Sequence, residues 1–167
     1  MELDESVIIV TGSATGVGAA VARRAASKGA RVVVNYTKSE AEANETVQAC
    51  LDLGSDALLC RSDVSVDQDC RRMAAAALEK WGRIDGLVNN AGQSVFASST
   101  DLASLSAEEF LSIYSVNVVG AYQMIRAVTP QFRAQGMGAV VNVSSISAIT
   151  GGGSSIAYAA SKGALNT

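Results

Sequence analysis

Val7-Ile8-Ile9-Val10-Thr11-Gly12-Ser13-Ala14-Thr15-Gly16-Val17-Gly18 joins an apolar, β-branched run to a glycine-rich turn that opens a helix. Glycine at 12, 16 and 18 permits a tight turn and lets backbone N–H groups approach a pyrophosphate, which the helix N-terminus attracts. The spacing is G-x-x-x-G-x-G, distinct from the G-x-G-x-x-G fingerprint. No Lys-Ser or Lys-Thr follows, as a P-loop requires. A plain strand-to-helix turn is the alternative that this motif alone leaves open.

Further apolar runs repeat the theme. Val32-Val33-Val34, Ala57-Leu58-Leu59-Cys60, Gly86-Leu87-Val88 and Ala139-Val140-Val141-Asn142-Val143 read as short strands. Their nearly continuous hydrophobicity suits a parallel sheet covered on both faces. Helical patterns lie between them. Ser39-x-x-Glu42, Ser65-x-x-Gln68 and Ser106-x-x-Glu109 match the capping-box pattern. Val66, Cys70, Met73, Ala77 and Trp81 form one stripe of helical period. The β-α-β-α series implies right-handed crossovers and an α/β fold: a Rossmann-type, doubly wound parallel sheet in three α/β/α layers, one domain over residues 1–167. The expected strand order is 3-2-1-4-5. Only Gly151-Gly152-Gly153-Ser154-Ser155 reads as an extended flexible loop, before the last helix.

Composition narrows the function classes. Hydrophobic residues make up 49% of the 167 positions and charged ones 17%, below the usual figure of about 25%. That balance predicts a large buried fraction or subunit interfaces. A net charge of −3 with no basic cluster argues against nucleic acid. No apolar run approaches the roughly 20 residues of a membrane span. The acidic start Met1-Glu2-Leu3-Asp4-Glu5 carries no secretory signal pattern. Cys50, Cys60 and Cys70 read as small buried hydrophobes on a helix, a strand and a helix, in a reducing, cytoplasmic setting. The absence of histidine excludes a Ser-His-Asp hydrolase and His-dependent zinc sites, and no metal is expected.

Tyr158-Ala159-Ala160-Ser161-Lys162 places a phenol and an amine one helical turn apart, with Ser145 thirteen positions earlier. Upstream stands Asn89-Asn90-Ala91-Gly92. With the glycine turn, and in this order, these motifs resemble the short-chain dehydrogenases/reductases, the family that includes 3-oxoacyl-carrier-protein reductases and sugar dehydrogenases. The resemblance spans the whole chain, and G-x-x-x-G-x-G is the turn this family shows.

The resemblance implies a dinucleotide site formed by Gly12, Ser13, Thr15, Gly16, Val17 and Gly18 at the turn. Asn35, Tyr36, Thr37 and Lys38 follow at the end of the second strand, with Asp63 and Val64 after the third and Asn90, Ala91 and Gly92 after the fourth. Asn89 is implied to stabilise the sheet. NAD-preferring relatives usually carry Asp where Tyr36 stands, and Lys38 can meet a 2′-phosphate as a point charge. NADP is therefore the expected cofactor, with NAD possible, since Thr15 stands where strongly NADP-specific relatives often carry Arg. Asp63 has a competing role as a helix cap, which Ser65 with Gln68 is expected to take over.

Carbonyl reduction needs a proton donor at oxygen, and free tyrosine, with a pKa of about 10, is too weak an acid at neutral pH. A nearby ammonium favours the phenolate. Ser145, Tyr158, Lys162 and Asn117 are the implied catalytic residues. Tyr158 gives the proton, and Ser145 bonds the substrate oxygen. Tyr158 and Lys162 are also implied to meet the cofactor, Lys162 holding the nicotinamide ribose, and Asn117 holds a water that joins Lys162 to solvent. Ser144 competes with Ser145, but strand alternation allows only one to face the site, and the thirteen-residue interval selects Ser145.

The implied function is reduction of a small-molecule carbonyl with NADPH, or the reverse alcohol oxidation, in a homotetramer or homodimer. The alternatives are an NAD-linked sugar or alcohol dehydrogenase, and a nucleotide-binding scaffold without turnover. Family members continue beyond the catalytic helix with two more strands and a substrate-covering segment. The expectation is thus a chain incomplete at its C-terminus, its fifth strand an exposed edge, with poor stability and little turnover in isolation.

Overall fold

The computed structural model describes residues 2–167. Five strands, β1 (Val7–Val10), β2 (Arg31–Tyr36), β3 (Ala57–Arg61), β4 (Gly86–Asn89) and β5 (Ala139–Asn142), form one parallel sheet in the order β3-β2-β1-β4-β5. Helices α1 (Gly16–Ala26), α2 (Glu40–Asp52) and α3 (Asp67–Trp81) alternate with the first four strands. A 3-10 turn (Leu102–Ser104), α4 (Ala107–Tyr114), a π-helical stretch (Ser115–Gly120) and α5 (Ala121–Gln135) lead to β5, followed by α6 (Ser147–Thr150) and α7 (Ile156–Asn166). No helix among the described residues is long and apolar enough to cross a membrane.

The pleat sorts the core into two layers. Ile8, Val10, Val32, Val34 and Tyr36 point to α1 and α2, against Ala22, Ala43 and Cys50. Val7, Ile9, Val33 and Leu87 point to the other face, against Cys70, Met73 and Met124. All three cysteines are unpaired, at the predicted element types. β5 lies at the sheet edge with all four residues exposed.

Of the three capping boxes only one forms. Ser106 accepts the Glu109 N–H at 3.1 Å, and Glu109 accepts the Ser106 N–H at 2.8 Å. Ser39 caps α2 without a side-chain bond. Ser65 is not a cap at all: its hydroxyl donates to Asp63 two residues back, and α3 starts one residue later behind Val66. The expected loop over 151–155 carries no helix or strand and is preceded by the short helix α6.

Asp85 anchors the start of β4. Its carboxylate is buried, accepts the Val7 N–H at 2.9 Å and pairs with Arg83 at 2.7 Å. Burial alone would raise the carboxyl's pKa. The hydrogen bonds from Arg83 and Val7 and the Arg83 charge outweigh burial and hold it below its ordinary value. A carboxyl depressed in the folded state stabilises above its unfolded pKa of about 4, and that stability is lost as pH falls. Asp85→Ala should therefore cost about 2–3 kcal/mol in urea unfolding at pH 7, because it orphans a buried N–H and breaks an ion pair. The deficit should shrink as pH drops below 4. An unchanged midpoint at pH 7 would contradict this account.

Candidate active site

The glycine turn is fixed by neighbouring strand ends. Gly12 has φ +61° and Gly16 φ +57°, the left-handed region that glycine enters at little cost. The Asn35 side chain accepts the Gly12 N–H at 2.9 Å and donates to the carbonyls of Cys60 (3.3 Å) and Ser62 (3.0 Å). Asn90 donates to the carbonyls of Thr11 (2.9 Å) and Gly12 (3.0 Å). The Thr11 hydroxyl accepts the N–H groups of Asn90 and Ala91, each at 3.0 Å. A Cβ on Gly18 would come within 2.5 Å of the Gly12 carbonyl oxygen, so this glycine allows the turn to fold onto its helix.

α1 begins without a side-chain cap and with no acid in its first turn. Its N-terminal N–H groups are thus left for an anion. A cleft of about 660 Å³ runs past it, lined by Gly12 and Thr15, by Asn35 to Lys38, by Asp63 and Val64, and by Asn90 to Ser94. These residues fit a dinucleotide: an open helix N-terminus for the pyrophosphate, with a Lys38-bearing rim at one end.

Two of the cofactor residues expected at the turn, Ser13 and Val17, have side chains that do not enter the cleft. Ser13 is sealed, its hydroxyl donating to the Val10 carbonyl (2.7 Å) and accepting the Asn35 N–H (2.9 Å). Gly16, Val17 and Gly18 open α1, so what they offer an anion is backbone N–H. Val17 turns to the opposite side of α1, into a groove shared with β4 and β5. Asn35 lines the cleft, but its amide is consumed by the three backbone groups above. Asp63 accepts the N–H (2.9 Å) and hydroxyl (2.7 Å) of Ser65 through one oxygen, so Ser65 orients it rather than replacing it. Burial first, then the Glu40 carboxylate, raises the Tyr36 phenol above its ordinary pKa, while Arg61 pulls the other way. Both signs of charge therefore stand at this end of the cleft.

A second cavity of about 570 Å³ adjoins the first, sharing Asn90, Gly92, Gln93 and Ser94 with it. It brings Ser145, Tyr158 and Lys162 together. Both Ser144 and Ser145 line it, contrary to the alternation argument, because β5 ends at Asn142 and the strand pleat no longer governs them. The Ser145 Oγ accepts the Ser147 N–H at 3.1 Å, which leaves its own proton to donate. The Ser144 hydroxyl is buried without a partner among the described residues.

Lys162, 4% exposed, donates to the Val143 carbonyl at 2.8 Å, and its Nζ lies 5.8 Å from the Tyr158 ring centre. Burial lowers its pKa from the ordinary value, with no carboxylate to offset it.

Asn117 sits in the π-helical stretch, not in a regular helix as expected. One-turn π insertions cluster at functional sites. Its Oδ1 accepts the Gln93 N–H at 2.7 Å, which fixes the amide's orientation. Nδ2 then donates to the Gln93 carbonyl and to Ser161 Oγ, each at 2.9 Å. The Ser161 hydroxyl donates to the Tyr158 carbonyl at 2.7 Å. The Asn117 side chain is thus occupied, and its direct partners are Gln93 and Ser161 rather than Lys162. Thr11 and Ser161 are residues bonded into the candidate site to which sequence reasoning gave no role. The only signal was that each adjoins a motif residue.

The family model described as short chain dehydrogenase matches residues 6–167. The chain is 44% identical over 157 residues to the "Granaticin polyketide synthase putative ketoacyl reductase 2" of Streptomyces violaceoruber, covering 94% of this chain and 61% of that protein. A crystal structure of a "putative short-chain dehydrogenase/reductase" from Burkholderia xenovorans superposes with a TM-score of 0.94 at 40% identity, over 96% of this chain and 68% of that one. NAD+-bound xylitol dehydrogenase superposes with a TM-score of 0.89 at 29% identity, over 99% and 62%. The chain spans 61% to 65% of the length of the curated relatives it matches.

Two outcomes follow from this geometry. Ser161→Ala leaves a buried Asn117 donor short of a partner and should cost about 1–3 kcal/mol in chemical unfolding, with faster amide hydrogen exchange in α7. Lys162 is a base with a lowered folded-state pKa, so it opposes folding below that pKa, and the penalty fades as pH rises toward the unfolded value of about 10.4. Lys162→Met should accordingly raise the melting temperature at pH 7, and the gain should narrow by pH 10. A lower melting temperature at pH 7 would count against burial as the dominant influence on this amine.

Proposed function

The chain belongs to the short-chain dehydrogenase family, and from that premise we propose that it serves NADPH-dependent reduction of a ketone resembling a 3-oxoacyl group. The observation that carries the proposal is the junction of two cavities. Ser145, Tyr158 and Lys162 line one, Gly12 and Thr15 of the glycine turn line the other, and Asn90, Gly92, Gln93 and Ser94 belong to both.

A bound nicotinamide supplies the hydride in reduction and accepts it in the reverse reaction. The chain's own residues do the rest. Ser145, with its Oγ accepting from Ser147, aims its proton at the carbonyl oxygen and stabilises the charge developing there. Tyr158 donates the proton that turns this oxygen into a hydroxyl. Lys162 spends one N–H on Val143 and keeps two for the ribose hydroxyls and for proton return. Asn117 holds Gln93 and Ser161, and through them the loop and helix that bring these groups together. Gly12 and the open start of α1 receive the pyrophosphate, and Lys38 meets the 2′-phosphate.

A second reading, an NAD-linked sugar or alcohol dehydrogenase, is favoured by Glu40 beside Tyr36, where a carboxylate disfavours a 2′-phosphate. A cytoplasmic homotetramer or homodimer completes the proposal.

Tyr158→Phe should abolish turnover of NADPH with a β-keto thioester and leave the NADPH dissociation constant within about twofold, since the phenol acts on the proton and the cleft is untouched. Surviving turnover would sink the mechanism. Fluorescence titration should give tighter binding of NADPH than of NADH. The reverse order would establish the NAD-linked reading.

A further inference from the structure

We propose that Gln123 is a positioning residue for the adenosine half of the dinucleotide, acting from behind the cleft through the Val64 peptide. The proposal rests on the dinucleotide reading above and adds a residue that sets the affinity.

Asp63 and Val64 line the cofactor cleft but not the catalytic cavity, so they serve the half of the dinucleotide away from the nicotinamide. They stand between β3 and α3, where no strand ladder holds them. What they offer a ligand is one donor and one acceptor. The Val64 N–H has no acceptor among the described residues. Asp63 uses Oδ1 on the N–H and hydroxyl of Ser65, and its Oδ2 has no partner among the described residues. Such a pair binds well only if its direction is fixed before the ligand arrives.

Gln123 supplies that direction. It is buried on α5 along with Met124 and Val128, and its Nε2 donates to the Val64 carbonyl at 2.7 Å. The amide's orientation is forced, because a carbonyl oxygen can only accept. The Cys70 thiol, a weaker donor, reaches the same oxygen at 3.2 Å. At the opposite edge of this peptide group, Asp63 Oδ1 holds the Ser65 N–H at 2.9 Å. A peptide plane held at both edges limits the rotation of Val64, so the Val64 N–H keeps its aim. Helix and loop meet closely here. A Cβ on Gly120 would come within 2.7 Å of Val64 Cγ2 and 3.2 Å of the Val64 carbonyl oxygen. Arg126, three residues beyond Gln123, pairs with Asp67 at the start of α3. On a helix face otherwise made of apolar groups, a leucine would be cheaper to bury than an amide. What the amide adds is a fixed direction for a loop that touches the ligand.

The test takes the two halves of the cofactor separately on the full chain. Adenosine 2′,5′-bisphosphate and nicotinamide mononucleotide are titrated by ligand-observed NMR, and NADPH by fluorescence. Gln123→Met keeps the side-chain length and removes the donor. It should weaken the bisphosphate and NADPH by a similar factor, about threefold to tenfold. Nicotinamide mononucleotide should stay within about twofold of the parent, because its end of the cleft is untouched. With a β-keto thioester, KM for NADPH should rise by the same factor while kcat at saturation stays within about twofold. Gln123→Asn, one methylene too short to reach the Val64 carbonyl, should give the same split and serves where the methionine variant does not fold. Unchanged affinity for the bisphosphate overturns the proposal. Equal weakening of both halves, or loss of folding in both variants, overturns it too, since Gln123 would then support the fold alone. Failure of the parent chain to bind NADPH overturns the dinucleotide reading, and this proposal with it.

Discussion

At the carboxyl edge of a parallel sheet every strand ends in backbone groups with no ladder partner, and here the turn after β1 is where those debts are settled. Asn35 from β2 and Asn90 after β4 close on Thr11 and Gly12 from opposite sides, and Thr11 returns two bonds to the segment of Asn90 and Ala91. Each partner comes from a different strand end, so the turn holds its shape only if the register of β2, β1 and β4 is correct. A Cβ on Gly12 would meet the Ala91 Cα at 2.8 Å, and this closeness leaves the cradle little freedom. The cleft is therefore shaped before any ligand arrives, which lowers the ordering cost of binding.

A second knot holds the catalytic part. Asn117 departs from ordinary helix geometry and uses its whole amide on Gln93 and Ser161. The bond directions are forced: Gln93 N–H requires an acceptor, so the amide nitrogen faces Ser161, whose proton must then go to the Tyr158 carbonyl. Loop, π stretch and catalytic helix share one chain of donors. Lys162 stays buried beside Tyr158 against its desolvation cost, held by one carbonyl bond to Val143. That strain against folding belongs to a site arranged for chemistry rather than stability.

What the sequence made legible follows from where the physics is local. Strands buried on both faces must be apolar throughout, so the strands could be read from short Val- and Ile-rich runs, and the order β3-β2-β1-β4-β5 is the one expected of a Rossmann-type sheet. Glycine marked the turn because no other residue takes φ near +60° cheaply. The failures are decisions made by neighbours in space. Ser-x-x-Gln at 65–68 matches a cap, but the Asp63 carboxylate lies nearer to the hydroxyl than the helix N–H groups do. Ser13 reads as a polar loop residue facing a ligand, yet Val10 and Asn35 turn it inward. A one-residue π insertion scarcely disturbs the hydrophobic period, so Asn117 was visible only as a polar residue out of place.

The two halves of the site do not rest on equal foundations. β1 and β2 are buried between α1 and α2 on one face and the α3 side on the other, β3 is partly buried beside β2, and the cofactor cleft opens at their ends. β5, which leads directly into Ser144 and Ser145, exposes all its residues, and it shares with α1 and β4 an open apolar groove of about 480 Å³ with Val17, Val88 and Val141 in its walls. Opening free energies track buried apolar contact, so β5 and the loop after it should open more readily than the glycine turn. In the proposed reading, dinucleotide affinity and catalytic geometry are thus separable properties of this chain. The first is built into its best-packed strands, and the second hangs from its least-packed one.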